Sequence, residues 1–186
     1  MTTPKAPQSI DGLIPTATGE LLRKLAGQVQ PGCAVVEIGA YLGRSTCFLA
    51  SGAKPGVPVY SIDPHGLEGS ERGRGGRFAG DDVREKYLAN IAGYDAVIPI
   101  RALGSMAPLP DEPVGLLWID GAHDLLSVAA DVARYAHLVT PGGHIVFDDF
   151  GTFHPGVDAV VRELCKIRVW TGWRFEPKPL AWARRA

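Results

Sequence analysis

Short apolar runs alternate along this chain with stretches whose apolar residues recur at helical spacing. The runs are Cys33 to Ile38, Val57 to Ile62, Ala96 to Ile100, Val114 to Ile119 and Ile145 to Phe147. They are rich in Val and Ile and continuous rather than alternating, the pattern of parallel strands buried on both faces. Between them, Thr18 is expected to cap a helix through Leu21, Leu22 and Leu25 that Pro31-Gly32 ends. Gly43 to Ser51, Leu125 to Leu138 and Val157 to Ile167 read as further helices, and Pro141-Gly142-Gly143 as the turn into the fifth strand. Near the C-terminus, Trp173 to Glu176 and Leu180 to Ala183 read as a closing antiparallel pair. Strands alternating with helices imply an α/β fold with right-handed crossovers. The expectation is one doubly wound, Rossmann-like domain over residues 1–186, its seven-stranded sheet mostly parallel with an antiparallel C-terminal strand. Residues 1–10 read as a flexible tail. One stretch breaks the pattern: residues 65–80 are rich in Gly and Arg, poor in apolar residues, and leave from the end of the second strand. So long a loop inside a compact domain is functional or disordered, and its position suggests a mobile substrate lid.

Composition narrows the classes. The 186 residues suit a single domain with a sizeable core. A formal net charge of −1 gives no electrostatic footprint for nucleic acid or an anionic membrane. The three cysteines, Cys33, Cys47 and Cys165, are scattered outside any metal-ligand spacing and read as reduced thiols. Residues 1–11 lack an apolar signal core, and no apolar run approaches the roughly 20 residues that span a bilayer. The cytoplasm is the expected location.

Polar residues gather where the strands finish, the edge at which open α/β sheets bind ligands. After the first strand, Gly39 permits a tight turn, and the helix starting near Gly43 offers free N–H groups to an anion. The spacing is G-x-x-x-G, not the G-x-G-x-x-G of dinucleotide enzymes. Asp63 closes the second strand roughly 20 residues further on, where an acid can hold ribose hydroxyls; its alternative role is that of a turn residue before Pro64. Asp120 ends the fourth strand, and Asp148 and Asp149 end the fifth. Neighbouring strand ends lie roughly 5 Å apart, so these carboxylates repel unless a cation or protons neutralise them. Oxygen-only ligands favour Mg²⁺ or a similar hard divalent ion. The alternative is that Asp148 and Asp149 cap the following segment. Of the five histidines, His123 follows Asp120 at the ligand edge and His65 follows Asp63-Pro64. His144 should sit roughly 13 Å below the acids, in a structural role. His137 falls on a helix and His154 in a loop. Trp118 reads as core.

Glu37-Ile38-Gly39, Asp63-Pro64-His65, Leu103-Gly104-Ser105, Ile119-Asp120-Gly121-Ala122-His123 and Pro141-Gly142-Gly143 with Phe147-Asp148-Asp149 occur in that order. Over about Leu13 to Val161 the set resembles the class I S-adenosylmethionine-dependent methyltransferases. Within them it looks most like the small bacterial metal-dependent sugar O-methyltransferases of macrolide, aminocoumarin and methylmannose-polysaccharide type. The resemblance implies S-adenosyl-L-methionine as cofactor. Glu37 and Gly39 would border its methionine part, Ser45 its carboxylate, Asp63 its ribose, and Gly104 and Ser105 its adenine. Asp120 would stand beside the sulfonium and, with Asp148 and Asp149, hold the metal. His123 matches the position of the base, with His65 the other candidate. The implied reaction is methyl transfer to a hydroxyl of a sugar or saccharide. The alternatives are a metal-independent small-molecule methyltransferase, a nicotinamide-dependent oxidoreductase, and a binding module without chemistry. The macrolide enzymes carry an extra N-terminal domain that has no counterpart in these residues. So small a fold has little of its own to close an acceptor site, which leaves room for a homodimer.

Overall fold

The computed structural model describes residues 3–67, 81–176 and 179–186. The lid assigned to residues 65–80 falls, beyond Leu67, outside the described residues. Seven strands form one sheet: β1 (Ala34–Ile38), β2 (Val59–Ile62), β3 (Val97–Ile100), β4 (Val114–Ile119), β5 (Val139–Phe147), β6 (Trp170–Arg174) and β7 (Ala181–Arg185). Their order is β3-β2-β1-β4-β5-β7-β6. All pairs from β3 to β5 are parallel, whereas β7 runs antiparallel between β5 and β6. The strand order reverses between β1 and β4, and the crevice above such a reversal is where a doubly wound sheet takes its ligand.

The helices are α1 (Thr16–Ala26), α2 (Arg44–Gly52), α3 (Asp81–Ile91), α4 (Leu125–Tyr135) and α5 (Pro155–Leu164). The two-residue period of the strands divides the core between both faces of the sheet. Val36, Ile38, Leu117, Ile119, Ile145 and Phe147 pack with Val128 and Tyr135 of α4 and Val157 and Val161 of α5. Val35, Leu116, Trp118 and Val146 pack with Leu22 and Leu25 of α1 and Phe48 and Leu49 of α2. Trp118 is fully buried, as a core residue should be. Among the described residues no helix is long and apolar enough to cross a membrane.

Several local expectations are corrected. The first helix starts at Thr16, with Pro15 in the N-cap position, and Thr18 lies buried inside its first turn. Pro15 sets the φ of −62° that leads the chain into the helix, so no side-chain cap forms. Pro141-Gly142-Gly143 is not a turn ahead of β5 but part of it. Val139 pairs with Val114 and His144 with Leu116, so the extra residues bulge out, with Gly142 at a φ of 82°. The C-terminal pair begins at Trp170 and extends to Arg185. The segment expected to be a flexible tail makes contacts with the domain from Lys5 onward. The Lys5 ammonium donates to Asn90, Ile10 is buried against Ala40 and Tyr87, and the Arg44 guanidinium donates to the carbonyls of Gln8 and Ile10.

Candidate active site

The glycine turn after β1 meets the end of β4 at close range. Gly39 has a φ of 89°, and any Cβ there would fall on the Asp120 carbonyl. Only glycine satisfies both the left-handed backbone and the contact. Asp63, at the end of β2, holds this turn in shape. One of its carboxylate oxygens accepts from the N–H groups of Ala40 and Tyr41 at 2.8 Å each, and the other from the His65 N–H at 2.7 Å. Asp63 is 2 % exposed. The carboxylate expected on ribose therefore has three backbone partners, and a ribose contact would be added to them. The strained φ values of Tyr41 (49°) and His65 (43°) flank the same junction.

Glu37 lies beneath, wholly buried on the α2 side of the sheet. Its Oε2 accepts from Thr46 at 2.5 Å and Ser61 at 2.7 Å, while Oε1 has no hydrogen-bond partner among the described residues. Burial pushes its carboxyl up to about 7, against the pull of the Ser45, Thr46 and Ser61 hydroxyls. Ser45 sits buried in the first turn of α2.

Above the turn lies a cavity of about 390 Å³. Gly39, Ala40, Tyr41 and Ser45 line one side, and Asp120, His123, Asp148, Asp149 and His154 the other. The backbone ladders explain the convergence: the Asp120 N–H bonds the Ile38 carbonyl and the Asp148 N–H the Ile119 carbonyl, so both acids stand one residue past paired strand ends. A larger cleft of about 890 Å³ between α4 and α5 is apolar apart from Arg162, Glu163 and Lys166, and brings no such group of polar side chains together. Gly104 and Ser105 occupy a short helical turn after β3 and do not line the 390 Å³ cavity.

The acids have diverged in role. Asp148 Oδ1 is buried with no partner among the described residues. Burial pushes the Asp148 carboxyl up to about 6, the Asp149 charge adding to the rise. Asp149 is held below the ordinary carboxylate range, first by the hydrogen bond from His123. That bond, Nε2 to Oδ2, measures 2.9 Å, and His154 Nε2 lies 3.9 Å from the same oxygen. Asp149 adopts a φ of 59°. Among the described residues the metal-type ligand atoms that converge within 4.8 Å belong to His123, Asp149 and His154. Asp120 and Asp148 stand beside that group, within the same cavity.

Two residues escaped the sequence reading. His154 had no motif around it, and only its place before the Pro155 helix start hints at a fixed position. Asp131 was hidden in the apolar periodicity of α4. It is 5 % exposed, crowds Gly104 and Gly121, and is pushed by burial up to about 7. The other histidines are structural or peripheral. His144 is buried within β5 beside Trp182, as expected. His65 is buried against Tyr87 with Nε2 3.1 Å from the Tyr41 carbonyl oxygen, so it braces the turn and does not line the cavity.

Comparison with known proteins fits this geometry. Residues 36–150 match the model of a family described as a methyltransferase domain. An uncharacterised protein of Acanthamoeba polyphaga mimivirus is 28% identical over 150 residues, 76% of this chain; the match spans 64% of that relative's length. The fold is similar to that of the O-methyltransferase NovP, with a TM-score of 0.71 and 18% identity over 91% of this chain and 79% of that one. It is also similar to CalS11, a TDP-rhamnose 3'-O-methyltransferase of calicheamicin biosynthesis (TM-score 0.66, 15% identity, 90% and 77% covered). A third similar structure is the O-methyltransferase TomG from Streptomyces achromogenes in complex with SAM (TM-score 0.67, 17% identity, 94% and 82% covered).

Proposed function

The chain belongs to the methyltransferase domain family, and from that premise we propose that it transfers a methyl group from S-adenosylmethionine to a hydroxyl of a sugar or saccharide. One observation carries the reading. The glycine turn after β1 and the Asp120, Asp148, Asp149 and His123 side chains line a single cavity above the switch point of the sheet.

The residues present fit the cofactor. Gly39 and Ser45 line the cavity, and the start of α2 at Arg44 would offer free N–H groups to the cofactor's amino-acid end. Bound there, the cofactor's sulfonium would supply an electrophilic methyl group with a neutral thioether as its leaving group. The chain's task is to place the acceptor oxygen in line and to accept its proton. Asp149 fixes the His123 ring by accepting from Nε2, which makes Nδ1 the basic nitrogen of that tautomer.

The acids also suit a hard divalent ion by their chemistry. Asp148 carries a buried oxygen without a partner among the described residues, and Asp120 and Asp149 add carboxylates at the same cavity, although the three do not gather within 4.8 Å as His123, Asp149 and His154 do. They would hold Mg²⁺ or a similar ion, whose charge lowers the pKa of a coordinated hydroxyl. The His123–Asp149 hydrogen bond favours one second reading, a metal-independent methyltransferase in which Asp149 only orients the base. CalS11 acts on a sugar hydroxyl, which supports the acceptor class.

The test is a labelled-methyl transfer assay on metal-stripped protein, with nucleotide-linked deoxysugars, simple glycosides, polysaccharide, phenols and amines as acceptors. Transfer to a sugar hydroxyl that EDTA abolishes and Mg²⁺ restores is the expected result. Full activity without metal would sink the metal assignment, and methylation confined to nitrogen or phenol acceptors would sink the sugar assignment.

A further inference from the structure

We propose that His123, Asp149 and His154 form a second kind of metal site, one for a borderline transition ion such as Zn²⁺, which overlaps the acidic site and takes His123 away from base duty. Two imidazole nitrogens and a carboxylate oxygen are the donor set of zinc and its neighbours rather than of magnesium. The spacing fits. Ligand atoms at about 2.0–2.2 Å from one ion lie roughly 3–3.6 Å from each other in tetrahedral or octahedral geometry. The observed separations from Asp149 Oδ2 are 2.9 Å to His123 Nε2 and 3.9 Å to His154 Nε2. The two imidazole nitrogens lie within 4.8 Å of each other, so a modest inward movement of His154 completes the cage.

The ligands are also held before any ion arrives. The two imidazole rings stack with centroids 4.0 Å apart, which turns both Nε2 atoms toward the same oxygen. His154 occupies the N-cap position of α5, its carbonyl accepting from the Val157 and Asp158 N–H groups. The intervening loop is tied by Gly151 N–H to Asp158 Oδ1 at 2.7 Å and by the Thr152 hydroxyl to the Asp149 carbonyl at 2.7 Å. Pre-formed ligands lose little conformational freedom on binding. All three side chains are partly exposed, and His123 and His154 also line a neighbouring opening with Asp124, Leu125 and Pro155, so an ion has an entry path.

Binding rests on this geometry alone. Its consequence for turnover rests on the role of His123 as base: an ion on Nε2 replaces the orienting bond to Asp149, so the zinc-loaded protein is held inactive. Magnesium, bound through carboxylates, leaves the imidazoles alone.

Cobalt(II) and zinc titrations of the metal-free full-length chain test the site without needing an acceptor. Wild-type protein should take up one Co²⁺ with visible absorption bands of nitrogen ligation, and Zn²⁺ should displace it. His154→Ala, and His154→Gln as a milder variant, should weaken Zn²⁺ binding at least about tenfold. Magnesium affinity, which rests on the carboxylates, should fall by less than zinc affinity in both variants. Zinc affinity unaltered in both variants, or a wild-type protein that takes up no cobalt, would overturn the proposal. Failure of wild type to bind S-adenosylhomocysteine would instead overturn the cofactor reading, leaving the zinc result to stand by itself.

Discussion

Replacing Glu37 by Gln removes a carboxyl that is wholly buried and accepts hydrogen bonds through one oxygen only. Its folded-state pKa is raised from 4.5 to about 7. A proton is therefore bound more tightly in the folded chain than in the unfolded one. The stabilisation is fully present below pH 4.5 and is lost as pH rises to about 7. Each tenfold step in proton affinity is worth about 1.4 kcal/mol, so the loss amounts to about 3 kcal/mol. Asp131 and Asp148 titrate in the same direction, to about 7 and about 6, but are common to both proteins and cancel in the difference. Gln keeps an acceptor for Thr46 and Ser61 and has no charge to bury. Urea unfolding of ligand-free wild type and Glu37→Gln at pH 5 and pH 8 reads the effect. The wild type should equal or exceed the variant at pH 5. By pH 8 the variant should have gained about 3 kcal/mol relative to wild type, roughly 6–12 °C in Tm for a chain of this size. A stability difference that is the same at both pH values would refute the account of Glu37 as a neutral acid in the folded interior.

Gly39→Ala places a Cβ on the Asp120 carbonyl at a φ of 89°. It should cost about 2–4 kcal/mol in thermal unfolding and abolish S-adenosylhomocysteine binding by calorimetry. Asp63→Ala strands three backbone N–H groups at Ala40, Tyr41 and His65, and a loss of at least about 3 kcal/mol is expected from chemical denaturation. Wild-type stability there would mean that water replaces the carboxylate and that Asp63 does not hold the turn. His123→Ala should lower methyl transfer by roughly 10²–10⁴-fold with S-adenosylhomocysteine affinity unchanged. Wild-type turnover in that variant would remove the base assignment while leaving the fold untouched.

Much of this molecule was legible in one dimension. Continuous Val- and Ile-rich runs mark strands covered on both faces, and their alternation with helices admits few arrangements. The residues that end those runs must gather at one edge, so Gly39, Asp120, Asp148, Asp149 and His123 are expected at the ligand edge, and the cavity they line there is a feature of the folded chain. Local errors came where backbone geometry outran residue preference: Pro15 rather than Thr18 starts α1, and the Pro141–Gly143 insertion bulges within β5 because the pairing resumes beyond it.

What only the tertiary structure decided is where each polar group points and what it meets. Asp63 turns one oxygen toward the Ala40 and Tyr41 N–H groups of the glycine turn because the β1 and β2 ends lie side by side, a relation between residues more than 20 positions apart. Asp148 and Asp149 are neighbours in sequence yet shift in proton affinity in opposite directions, since one is buried with an oxygen that has no partner among the described residues and the other faces two imidazoles. His154 enters the site only because the loop after β5 folds back onto His123. Hydrophobic periodicity is written into the chain at short range and so determines the architecture. Hydrogen bonding and charge act between groups that the fold brings together, so the division of labour among the acids and histidines belongs to three dimensions.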